Sequence, residues 1–219
     1  MLVLYMPNKQ SRRTLSSSVD IGNGLLIHCF DDREIIKINN RGFIVNPLTE
    51  QIPAATTELL RCACEEILKV ANKNFDKVVG EEDKGGIIVA GIALATNKPF
   101  GMIRWYPSGI PGQIKVRFTN EYTKGMLYLN GVEAGDRVLV VDDMISTGGT
   151  MLGIIRALQK ARVKIADIVC IGEKVNYKGV ELVRKKTGYI PKTLIKIDVS
   201  GERSRVLNRI NSKKRSNSL

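Results

Sequence analysis

The sequence predicts an α/β fold, a mainly parallel sheet flanked by helices, and three features of the 219-residue chain predict it. Short β-branched and aliphatic runs alternate with amphipathic helical stretches between residues 42 and 200, which implies right-handed crossovers between parallel strands. One run, Val138 to Val141, is apolar without interruption, as in a strand covered on both faces. Two carboxylates and a loop of hydroxylated residues and glycines follow it and open a helix, at the strand end where α/β sheets place ligands.

In chain order, residues 1–20 carry a short apolar start, scattered basic residues and a serine cluster, and read as weakly ordered. Leu25 to Phe30 and Glu34 to Ile38 read as two strands of a hairpin turning at Asp31-Asp32-Arg33. Gly42 to Val45 is a further strand. Leu59, Ala63, Ile67 and Val70 mark an amphipathic helix over 54–71. Val78-Val79 ends a strand at Gly80, and an apolar helix spans Ile87 to Ala95. Phe100 to Tyr106 is a strand carrying Arg104. Residues 107–112, rich in Pro and Gly, break regular structure as a mobile lid or a rigid connection, before a short alternating stretch with Lys115 and Arg117. Gly125 to Asn130 leads to the central strand. Met151, Ile154, Ile155 and Leu158 then form the stripe of a helix packed on the sheet. Ile165 to Ile171, Val180 to Lys186 and Thr193 to Val199 read as strand, helix and strand. Beyond Gly201 nothing alternates, and a basic, disordered tail over 201–219 is expected.

The chemistry concentrates at Asp142 to Thr150. Two adjacent carboxylates are costly to bury while ionised, so Asp142 and Asp143 are expected at the open end of their strand. Ser146, Thr147, Gly148, Gly149 and Thr150 leave backbone N–H groups uncovered at a helix N-terminus and add hydroxyls, a cradle for one terminal phosphate. Thr150 is followed by Met151, so the lysine of a triphosphate-binding P-loop is absent, and Gly148-Gly149 does not make a dinucleotide fingerprint. The carboxylates can accept hydrogen bonds from vicinal sugar hydroxyls. Glu82, Asp83, Lys84 and Gly85, in a turn that opens a helix, form a second possible anion site, with solvated loop charges as the alternative.

On Val138 to Thr150 the chain resembles the type I phosphoribosyltransferases, whose signature for phosphoribosyl pyrophosphate (PRPP) is an aliphatic strand, two acids and a Thr-Gly-rich loop. From Gly42 to Ser200 the order of segments is similar to the purine salvage branch, both the adenine enzymes and the archaeal hypoxanthine/guanine-type enzymes. The resemblance implies a small N-terminal hood in residues 1–41, a transferase core in 42–200, and a homodimer that uses PRPP and a purine base. It implies that Asp142 and Asp143 anchor the ribose and orient Mg²⁺ indirectly, through the PRPP complex. Ser146 to Thr150 would hold the 5′-phosphate, while Glu82 to Gly85 and Arg104 would meet pyrophosphate. Met144, Ile145 and Tyr122 become base-contact candidates, and Glu121 a catalytic one. Glu121-Tyr122 matches the adenine-type lid and sets the expectation of adenine, converted to AMP; hypoxanthine or guanine is the alternative, and a PRPP-sensing nucleic-acid-binding regulator a third. Arg104-Trp105 stands where adenine enzymes have Arg-Lys, so Lys84, Lys115 or Arg117 would have to compensate.

Composition bounds these readings. No apolar run approaches the roughly 20 residues that span a bilayer, and the first residues lack a signal peptide's apolar core, so a cytoplasmic protein without membrane partners is expected. Cys29, Cys62, Cys64 and Cys170 lack metal or redox spacing and read as reduced, buried thiols. His28 reads as a packed strand residue. The net charge of +12 suits a polyanionic substrate, and nearly half of the excess lies in 201–219. Without interleaved aromatics, nucleic-acid binding is expected only as weak tail binding.

Overall fold

The computed structural model describes residues 21–38, 41–119 and 124–209. Among them, α1 (Ile21–Phe30), β1 (Ile35–Ile38), β2 (Arg41–Ile44) and α2 (Thr57–Val70) precede the main alternation. There follow β3 (Lys77–Glu81), α3 (Gly86–Thr96), β4 (Phe100–Arg104), β5 (Ile114–Thr119), β6 (Lys124–Asn130), β7 (Arg137–Ile145) and α4 (Gly149–Lys160). β8 (Lys164–Lys174), α5 (Gly179–Thr187), β9 (Lys192–Asp198) and β10 (Arg205–Arg209) complete the order. Eight strands form one sheet in the order β10-β9-β8-β7-β3-β4-β6-β5. The five central strands from β9 to β4 run parallel, and β10, β6 and β5 add antiparallel edges.

β7 lies inside the sheet and obeys the period-2 rule on both faces. Leu139 and Val141 join a core with α1, α2 and α3, whereas Val138 and Val140 join a second core beneath α4. Met151, Ile154, Ile155 and Leu158 are all buried in that second core, as their spacing predicts. Helix α2 begins where Thr56, in extended conformation, accepts the Leu59 amide on its hydroxyl at 3.1 Å.

The N-terminal region departs from the predicted hairpin. Residues 25–30 belong to helix α1, and the hairpin is β1 with β2, pairing Ile35 with Ile44. Leu26, Cys29 and Phe30 recur at i, i+3 and i+4 and are buried against α2 residues, but within a continuous apolar run this spacing is indistinguishable from a buried strand. Arg33 folds back to donate to the Cys29 and His28 carbonyls, satisfying the last turn of α1. His28 is therefore an exposed helix-end residue and not a packed strand residue.

The tail also departs from expectation over its first part. Residues 202–206 bind the N-terminal region: Ile35 donates to the Glu202 carbonyl at 2.9 Å, Asp32 to the Ser204 carbonyl at 2.8 Å, and Ser204 back to the Arg33 carbonyl at 2.8 Å. β10 then pairs with β9. Polar composition hid this strand, and the partners of the segment that leads into it, Asp32 to Ile35, lie far away in sequence. Residues 210–219 lie outside the described residues. All four cysteines are free and buried, and burial pushes Cys29, Cys62 and Cys64 up to about 11, which keeps them as thiols. Among the described residues no helix is long and apolar enough to cross a membrane.

Candidate active site

The site is built at the carboxyl edge of β3, β7 and β8. β7 does not stop at its acids; it continues to Ile145, and Asp142 and Asp143 are only 7% and 8% exposed. This corrects the expectation of an open strand end. Burial raises both carboxyls above their usual range, and Asp142 rises further because Asp143 and Glu81 are near it. Lys84 and Lys174 oppose the rise at Asp143, so the pair tolerates burial by partial neutralisation on one member and cationic neighbours on the other.

Beyond Ile145 the chain turns sharply into α4. Gly148 caps the helix with φ +83°, a left-handed conformation, and a Cβ there would lie 2.7 Å from the Gly179 carbonyl oxygen. Gly179 is equally constrained, since its Cβ would meet the Ser146 carbonyl oxygen at 2.1 Å. The two glycines let the loop lie directly on the start of α5. No side chain caps α4, so its first amides face a bowl of about 90 Å³ lined by Asp142 and by residues 144–151. Ser146, Thr147, Gly148, Gly149 and Thr150 are thus brought together as their order predicted. Ile145 lines the same bowl but is buried in the α4 core; Met144 reaches both this bowl and the neighbouring cleft.

That cleft, about 220 Å³, lies between Phe43, Glu50, Lys84, Asp143, Met144 and Lys174, with Ser146 and Thr150 at its boundary with the bowl. Lys84 is ion-paired with Glu50 and lies 5.7 Å from the centre of the Phe43 ring. Lys174 donates to the Gly42 carbonyl at 2.8 Å and lies 5.1 Å from the same ring. Burial, aided by Lys84, lowers the Lys174 ammonium to about 8 despite the attraction of Asp143. At the next loop, Gly85 passes so close to the acids that a Cβ would sit 2.9 Å from Asp142 Oδ1. Arg104 pairs with Glu82 at 2.9 Å, whose carboxylate also accepts from the Tyr106 hydroxyl. Asp83 donates its amide to Glu81 at 3.0 Å.

Lys84 is the predicted cation that the structure brings to Asp143; Lys115 and Arg117 extend from β5 into solvent. Glu121 and Tyr122 lie outside the described residues. Phe43, Glu50, Glu81 and Lys174 were not singled out by sequence reasoning. A usable signal existed only for Lys174: β8 pairs in parallel with β7, Ile145 opposite Glu173, so the polar end of β8 had to share the ligand edge.

The glycine- and hydroxyl-rich loop and the two buried acids lie at the carboxyl edge of a parallel sheet, where α/β folds bind ligands. The chain belongs to the phosphoribosyl transferase domain family, which matches residues 49–192, and within it to the type I enzymes of purine salvage that use PRPP. It is 45% identical over 165 residues to the hypoxanthine/guanine phosphoribosyltransferase of Methanothermococcus okinawensis, covering 75% of this chain and 89% of that one. The relative of that name from Methanocaldococcus infernus is also 45% identical, over 75% and 90% of the two chains. Among solved structures, the adenine phosphoribosyltransferase of Rhodothermus marinus superposes with a TM-score of 0.66 at 24% identity, over 80% of this chain and 98% of that one. That likeness shows the shared fold.

Proposed function

We propose that this protein transfers the phosphoribosyl group of PRPP to a 6-oxopurine, hypoxanthine or guanine, forming the nucleoside monophosphate and pyrophosphate. The observation that carries the choice of base is Lys174. Its ammonium can only donate, and it faces a cleft beside Asp143, Met144 and the Phe43 ring. A carbonyl at purine position 6 accepts from such a group, whereas the amine of adenine offers it nothing. The two archaeal relatives, both named hypoxanthine/guanine phosphoribosyltransferases, support the same reading. The adenine expectation rested on Glu121-Tyr122, and the adenine-named structures share the fold at under 25% identity, so the alternative base is the better supported.

In this reading the amides of the α4 N-terminus and the hydroxyls of Ser146, Thr147 and Thr150 bind the 5′-phosphate. Asp142 and Asp143 accept the ribose hydroxyls. Lys84 exchanges Glu50 for pyrophosphate, and Arg104 likewise exchanges Glu82. The C1′–O bond to pyrophosphate breaks as a purine ring nitrogen bonds to C1′, and the proton of that nitrogen passes to the departing pyrophosphate or to water. The protein's part is to align the two ends and stabilise the leaving charge. Mg²⁺, arriving on PRPP, would screen the pyrophosphate. Among the described residues no three His, Cys, Asp or Glu side chains converge as a metal site, and Asp142 and Asp143 would orient the ion indirectly, through the PRPP whose ribose they hold.

The test is pyrophosphate release from PRPP and Mg²⁺ with hypoxanthine, guanine, adenine and orotate in turn. Turnover of the 6-oxopurines is expected. Turnover of adenine alone would reverse the choice of base, and PRPP binding without any turnover would favour a regulator.

A further inference from the structure

Trp105 stands beside a carboxylate that the transfer reaction itself does not use. Glu81, the last residue of β3, is only 6% exposed, and one of its oxygens, Oε1, accepts both the Asp83 amide and the indole N–H of Trp105. The Trp105 ring also packs edge-on against Phe118 of β5, centroids 4.8 Å apart at 74°. Phe118 is buried in the core under α4. The Glu81–Trp105 pair therefore joins three segments: the 82–85 turn through Glu81, and the beginning of the 105–113 connection and the strand that returns from it through Trp105. Burial, with Asp83 and Asp143 of its own sign, pushes the Glu81 carboxyl up to about 7, and the indole and amide donors are what hold it in place.

We infer that Glu81 and Trp105 are positioning residues for the pyrophosphate end of the site, locking the 82–85 turn and the base of the 105–113 connection into one unit. The indole supplies by rigid placement part of what a lysine at 105 would supply by charge. With the turn fixed in advance, Lys84 and Gly85 need no ordering when pyrophosphate binds. The inference rests on the assignment of residues 82–85 to pyrophosphate, made above.

Trp105 is the sole tryptophan, so its emission reports this contact directly. Inorganic pyrophosphate with Mg²⁺ is titrated calorimetrically into the wild type, Trp105→Phe, Glu81→Met, which keeps the length of the side chain and removes its acceptor oxygens, and the double variant, and KM for PRPP and kcat are measured on each. Trp105→Phe keeps a ring against Phe118 and removes only the N–H donor. The expected result is pyrophosphate affinity and KM for PRPP each worsened on the order of tenfold in either single variant, with kcat nearly unchanged. The double variant should lose no more than the worse single one, because both remove the same contact. The Glu81→Met emission maximum should shift from that of the wild type. Pyrophosphate affinity within twofold of wild type in both single variants, or losses that simply add in the double variant, would overturn the inference. A wild type that turns over no purine would remove the functional reading instead, and the two results come from separate assays.

Discussion

Replacing Lys174 by Met keeps the length and apolar stem of the side chain and removes its ammonium, so it isolates the donor proposed to read the base. In the structure that ammonium is mostly surrounded by protein, held by the Gly42 carbonyl and drawn toward Asp143. A hydrogen bond from a charged donor in such a place contributes about 1.5–3 kcal/mol, which corresponds to a loss of about 10- to 150-fold in kcat/KM for hypoxanthine and guanine. The substitution also leaves Asp143 with Lys84 as its cationic neighbour, which affects every base alike. The informative quantity is therefore the ratio of kcat/KM for hypoxanthine to that for adenine, measured at saturating PRPP, since effects through Asp143 cancel in it. That ratio should fall by about the same 10- to 150-fold. The ammonium is lowered to about 8, so it is charged below that pH and neutral above it. Wild-type preference for 6-oxopurines should decline as pH rises through about 8, and the variant's ratio should stay flat. An unchanged ratio accompanied by an equal loss for all bases would show that Lys174 acts only on Asp143.

Four further outcomes are expected. Asp142→Asn and Asp143→Asn should each lower kcat/KM about a hundredfold if ribose anchoring contributes about 3 kcal/mol to the transition state, and unchanged PRPP kinetics in both would remove them from the site. Hydrogen exchange over 107–119 should slow when PRPP and Mg²⁺ are added, marking a lid; equal protection with and without ligand would mark a rigid connection. Ser204→Ala should destabilise the fold by about 1–3 kcal/mol, because the buried hydroxyl donates to the Phe30 carbonyl at 2.6 Å and accepts the Arg33 amide at 3.0 Å. An unshifted melting temperature would show that this junction carries no stability. Removing residues 210–219, which keeps β10, should leave purine turnover intact while weakening salt-sensitive retention on RNA through loss of Lys213, Lys214 and Arg215; lost turnover would place that segment in the site or at a subunit interface.

What the sequence made legible was local. β7, the phosphate loop and α4 are contiguous, and each is specified by its own pattern, so Ser146 to Thr150 could be read as a cradle before any coordinates. The acids were legible as residues but not in their burial, because the lysines that make burial tolerable come from residue 84 and from the end of β8. Helix α1 was misread because His28 is the one polar residue from Leu25 to Phe30, too little to mark a face. β10 was missed because only pairing with β9 and with Asp31 to Ile35 gives its polar residues a reason to be ordered. Glu81 and Trp105 are 24 positions apart, and neither pattern nor spacing announces their hydrogen bond.

The junction at Ser204 joins residues 171 positions apart in the chain, and it bears on how the protein is made. At synthesis rates of about 5–20 residues per second, the segment around Arg33 waits roughly 9 to 34 seconds for the residues that close onto it. During that interval β3, β7, β8 and α4 are already available, so the phosphate loop and its acids can assemble on a nascent chain. The residues just ahead of β1 gain their bonds to 202–204 only at the finish. Until then α1 carries Leu26, Cys29 and Phe30 with α2 as their early cover, and a chain stalled before residue 202 would present an unsealed N-terminal region to chaperones and proteases while the central strands of its sheet were already formed.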